Sequence, residues 1–159
     1  MKEVNRSDLD SHADCCVCGK EVLVLNEFDR EVTVAGWDPE EETQSLSIVS
    51  AAMGYTIQEN GKTVLLIAHQ SIFSPSLNHN LLSTMQMRLH DVIVNETPKF
   101  QSLNPTRQSH SISVRGDHVD DVLLIPLELH GVVSCFPTFK PSQLEFETCD
   151  RYELTYETP

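Results

Sequence analysis

Apolar positions along the chain fall mostly into short blocks of the kind that build strands. Glu21-Val22-Leu23-Val24-Leu25 and Glu31-Val32-Thr33-Val34 are β-branched or Leu-rich runs bounded by polar clusters, and each predicts a strand. Leu46, Ile48, Val49, Met53 and Tyr55 precede Asn60-Gly61, and Thr63-Val64-Leu65-Leu66-Ile67-Ala68 follows it. An Asn-Gly between two apolar runs predicts a β-hairpin, because both residues tolerate the positive φ of a tight turn. Only one segment has the helical period. Leu81, Leu82, Met85 and Leu89 share one face of a helix over 80–89, with Asn78 or Asn80 as its cap and His90-Asp91 at its end. Asp91-Val92-Ile93-Val94 then reads as extended.

Beyond residue 97 the chain turns polar, with Pro98, Pro105 and scattered Ser, Gln and His, which predicts a linker or long loop over 101–118. A second apolar block follows, through Val122-Leu123-Leu124-Ile125 and Gly131-Val132-Val133. The tail from Pro141 holds Glu145, Glu147, Asp150, Glu153 and Glu157 and reads as a solvated extension. The expected fold class is mainly β with one short helix.

Composition narrows the setting. The 159 residues are enough for one domain with a core of its own. The formal net charge of −13 would repel a nucleic-acid backbone or an anionic membrane, so neither is an expected partner. The opening MKEVNRSDLD lacks the apolar stretch of a secretory signal, and a cytoplasmic location is expected. Five cysteines, three of them in Cys15-Cys16-Val17-Cys18, do not make a disulfide framework.

Chemistry concentrates in Leu9-Asp10-Ser11-His12-Ala13-Asp14, immediately before those cysteines. Three readings are open. As plain turn residues, Asp10, Ser11 and Asp14 would satisfy neighbouring backbone N–H groups. As a metal site, Asp10, His12 and Asp14 would share one face of an extended backbone, with Cys15 and Cys18 supplying a C-x-x-C. No second C-x-x-C accompanies it, and Cys135 and Cys149 stand alone. The third reading is acid-base catalysis by a carboxylate.

For that third reading the sequence resembles a known family. Leu9-Asp10-Ser11-His12-Ala13-Asp14 is similar to the hydrophobic-Asp-Ser/Thr-Gly-Ala segment of retropepsins, the aspartic proteases of retroviruses and retrotransposons. Ser71-Ile72-Phe73-Ser74-Pro75 and then Asn80-Leu81-Leu82-Ser83-Thr84-Met85-Gln86-Met87 resemble copia-type polyproteins, in which a Pro-containing strand leads into an Asn-Leu-Leu-Ser helix. The order of these elements also matches.

The resemblance covers 3–100 and implies a retropepsin-like half barrel there, with 101–118 as linker and 119–159 as a β-rich C-terminal extension. It implies an aspartic endopeptidase that processes a retrotransposon polyprotein, in the cytoplasm or inside virus-like particles. No cofactor is implied, and the partners are a second copy of the chain and a peptide substrate. Asp10 would be the catalytic residue. In a homodimer two such carboxyls share a proton, one activating water while the other protonates the scissile carbonyl. Ser11 would hydrogen-bond across the dimer, Ala13 would follow the family pattern, and Asp14 would approach the substrate backbone.

His12 stands where the family has glycine. Glycine lets a tight loop approach its mate, so the alternative is an inactive relic or scaffold of the same fold. A flap over the substrate is expected at Gly36 and Trp37.

Overall fold

The computed structural model describes residues 5–34 and 43–158, and the flap candidates Gly36 and Trp37 lie outside them. The fold is mainly β, as its apolar blocks predict. β1 (Asn5–Asp10) lies between two strands distant in sequence. It pairs in parallel with β6 (Asn80–Ser83) and antiparallel with β11 (Val133–Thr138). β2 (Val17–Cys18) sits between β6 and β5 (Thr63–Phe73), and β5 carries β4 (Gln44–Thr56) and then β3 (Leu23–Val34). The two strands expected near 21–25 and 31–34 are halves of the single β3. Register shifts after Val24 and Glu27 bend it.

The Asn60-Gly61 hairpin forms between β4 and β5, with a wider turn than the two-residue type. Thr56 pairs with Thr63, and Ile57 N–H donates to Lys62 O across the connection. Of the two turn residues only Gly61 takes positive φ, at 72°.

The predicted helix is shorter than its apolar spacing suggests. Asn80-Leu81-Leu82-Ser83 is strand β6, and α1 occupies Thr84–Leu89. Leu82 pairs with Leu9, and this strand pairing overrides the helical spacing at 80–83. Asn80 caps nothing. Its side chain accepts from the N–H of Gly19, just past β2, and donates to Ser7 Oγ of β1. The cap is Ser83, whose hydroxyl accepts from Gln86 N–H.

The second half of the chain shares the core of the first. β7 (Ile93–Asn95), β8 (Ser111–Arg115) and β9 (Val122–Pro126) form a small antiparallel sheet. Its Ile112, Val114, Leu123 and Ile125 pack in one cluster with Leu9, Met53 and Leu82. β10 (Glu128–His130) pairs with β11, which flanks β1.

The tail is not a solvated extension. It forms a second helix, α2 (Gln143–Thr148), opened by a Ser142/Glu145 capping box, and then β12 (Arg151–Glu153), parallel to β5. Tyr152, Leu154 and Thr155 are buried, because the polar-apolar alternation after Asp150 turns one face of the strand inward. Among the described residues no helix is long and apolar enough to cross a membrane.

Candidate functional site

β1 delivers Asp10 to the surface. Leu9 is buried, Asp10 is half-buried, and Ser11 and His12 are exposed. The strand ends at Asp10 and the chain turns. Asp10 Oδ1 accepts from His12 N–H at 2.9 Å, and Asp10 O accepts from Ala13 N–H at 3.4 Å. This is the Asx geometry in which a carboxylate stands in for a backbone acceptor. The extended backbone that would align Asp10, His12 and Asp14 on one face is therefore not formed.

His12 meets no conformational penalty here. Among the described residues positive φ occurs at Gln70, Asp91 and His110 and at Gly61 and Gly131, not at position 12. The turn does not use the freedom that only glycine supplies at low cost, and the imidazole stands in solvent.

The loop after Asp10 is held from α1. Ser83 Oγ donates to Ala13 O at 2.6 Å, and Cys16 N–H donates to Gln86 Oε1 at 2.8 Å. Ser83 N–H also donates to Cys16 Sγ at 3.3 Å. Cys16 and Cys18 are fully buried. Burial pushes both thiols up, Cys18 to about 12. Cys15 is half-buried and its thiol is also raised, first by burial. Among the described residues no three His, Cys, Asp or Glu side chains converge on a point where an ion could sit. The metal reading of Asp10, His12, Cys15 and Cys18 has no geometry behind it.

Two grooves meet at Ser11. One, of about 570 Å³, runs past Asp10 and His12 toward Phe100, Leu129 and Val132, with Glu96 on its wall. Phe100 and Val132 are 77% and 95% exposed, which is unusual for side chains of that size. The other, of about 380 Å³, lies between Ser11 and the α1 residues Met85 and Leu89, both also exposed. The Asp10 turn thus stands in the middle of an apolar belt. Sequence reasoning missed the belt's outer wall, because the tip of the β10–β11 hairpin reaches Asp10 only through pairing of β11 with β1. The available signal was Val132 following Gly131 in a turn, a large apolar side chain where a polar one is usual.

A second polar cluster was also missed. Ser50 Oγ lies 2.7 Å from His69 Nδ1, and Glu153 Oε1 lies 3.7 Å from Nε2. These are the residue types of a hydrolytic triad, but Ser50 is only 3% exposed and the His–Glu separation exceeds hydrogen-bond length. The cluster is an internal polar contact between β4, β5 and β12. No protein-family model, curated protein or solved structure matches the chain.

Proposed function

We propose that the chain is an aspartic endopeptidase of the retropepsin type, processing a polyprotein as a homodimer in which each copy contributes Asp10. The observation that carries this reading is the placement of Asp10. It ends a central strand, parallel to the strand that runs directly into α1, and projects into a groove walled by Phe100, Leu129 and Val132 together with Glu96 and Gln101. The strand ending at Asp10, the β4–β5 hairpin and α1 follow one another in the order the resemblance expects, although Asn80–Ser83 is strand and Pro75 lies beyond the end of β5. The apolar belt around Ser11 gives a second copy something to cover.

In the pair, two Asp10 carboxyls share one proton, because like charges at that separation cannot both ionise. One draws a proton from water while the other supplies one to the peptide oxygen. Exposed Ser11 is free to bond across the two-fold axis, and exposed Asp14 lies beside the turn. Asp10→Asn abolishes cleavage of a polyprotein-derived peptide in mild acid on this reading, as followed by mass spectrometry. Cleavage by the variant at the wild-type rate removes Asp10 from the mechanism.

One contact favours the relic reading instead. Asp10 Oδ1 is occupied by the His12 N–H of its own turn, and the His12 side chain is exposed beside it. On the active reading His12→Gly changes cleavage by less than about tenfold, equivalent to about 1.4 kcal/mol in barrier. Activity appearing only in His12→Gly marks the natural chain as an inactive scaffold.

A further inference from the structure

Gln86 lines neither groove at Asp10, yet its one amide joins two separate stretches of backbone. Its Oε1 accepts from Cys16 N–H at 2.8 Å. Its Nε2 donates to Gln70 O at 3.1 Å and to His69 O at 3.3 Å. Those two carbonyls are available because β5 bulges there. The β4–β5 register slips between the Val49/Ser71 and Ala51/Ala68 pairs, and Gln70 takes a φ of 52°. A bulge leaves its extra residue outside the ladder, and the carbonyls of 69 and 70 bond to α1 instead.

The bulge is held from three further sides. Thr155 Oγ1 accepts from His69 N–H at 2.7 Å and donates to His69 O at the same distance. The Gln70 side chain accepts from Arg30 Nη2 of β3 and donates to Glu157 O. Gln86 therefore ties Cys16 N–H to a well-anchored bulge of β5, beside the ladder bond that Ile72 N–H of β5 donates to Cys16 O. With Ser83 Oγ on Ala13 O, the loop is tied to the first turn of α1 at two places, three residues apart.

We infer that Gln86 is a positioning residue that sets the backbone of the Asp10 loop by referring it to the β5 bulge; its bearing on catalysis rests on the peptidase reading of Asp10. A glutamine suits the task because one side chain offers an acceptor and two donors. Alanine removes both halves of the link. Glutamate keeps the acceptor for Cys16 N–H but, when ionised, aims a carboxylate at two carbonyl oxygens. A proton on that carboxyl restores a donor.

The test compares the full-length chain with Gln86→Ala and Gln86→Glu by amide hydrogen exchange and by peptide cleavage kinetics. Gln86→Ala is expected to speed exchange at Cys16 about tenfold while β4 amides are unchanged, and to lower kcat about tenfold with KM within about twofold. Gln86→Glu is expected to protect Cys16 and to lose activity at pH 7.5. It recovers relative to wild type as pH falls toward about 4.5, where carboxyls take up protons. A merely structural role does not produce that recovery. If Gln86→Ala fails to fold, the Gln86→Glu exchange and pH comparison decide. Wild-type exchange at Cys16 in Gln86→Ala, or a Gln86→Glu deficit independent of pH, overturns the proposal. A wild type that cleaves no peptide overturns the role of Asp10, and Cys16 exchange still decides whether Gln86 sets the loop.

Discussion

Two turns of this molecule follow sheet strands, and they are held in opposite ways. The connection between β4 and β5 holds itself. Ile57 bonds to Lys62 and to Gly61, Lys62 N–H bonds to the Asn60 side chain, and Gly61 supplies the positive φ. The turn at Asp10 has the internal support of an Asx bond and one long backbone bond, and its continuation is fixed by Ser83, Gln86 and Ile72, distant in sequence. A turn that holds itself is set by its own sequence. A turn held from outside takes its position from the fold, so its exposed residues are left to chemistry rather than to structure.

The contrast can be broken at either turn. Ser83→Ala removes the cap of α1 and leaves Ala13 O without its donor. A lost cap costs about 1 kcal/mol, and the half-buried Ala13 carbonyl left without its donor adds up to about as much, so between about 1 and about 2 kcal/mol of stability is lost by denaturant titration. Exchange at residues 12–16 rises with it. Gly61→Ala meets no steric obstruction, but its φ of 72° is unfavourable for a side chain, so it costs about 1 kcal/mol. It leaves exchange in the Asp10 loop at the wild-type level. If Gly61→Ala disturbs that loop as much as Ser83→Ala does, the two turns are not held independently.

A smaller effect depends on pH. His110 is buried, with Nε2 2.8 Å from Ser134 Oγ. Burial, and then the charge of Lys99, lower its affinity for a proton. The unfolded chain therefore binds that proton more readily, and stability rises with pH across the titration. The contribution is complete above the ordinary histidine value of about 6.5 and is lost as pH falls through the lower folded value. Asparagine accepts the positive φ at this position. His110→Asn should flatten the fall in melting temperature between pH 7 and pH 5, and an unchanged slope assigns the loss to other groups.

What could be read from the residues divides along the same line. The Asn-Gly hairpin was legible because its signal is local, although its six-residue width was not. The cap at Ser83 was hidden, because Leu81 and Leu82 fit a helical face and a buried strand equally well until β1 is placed beside them. The tail carried readable signals that its acidity masked. Ser142-x-x-Glu145 is a capping box, and Arg151-Tyr152-Glu153-Leu154 alternates like a half-buried strand. At the site, Asp10 and its neighbours stood out by type and spacing. Val132 and Gln86 did not, since each is brought to the Asp10 region by strand pairing with β1, and Phe100 reaches it from a short turn after β7.

The central claim is that two Asp10 carboxyls work together, and a crystal structure of the full chain grown in mild acid tests it most directly. Raised salt should favour the pair, because it screens the repulsion expected from a net charge of −13. The account predicts two copies related by a two-fold axis through the Ser11 belt, with their Asp10 carboxyls about 3 Å apart. Copies joined elsewhere, with each Asp10 facing open solvent, would contradict it.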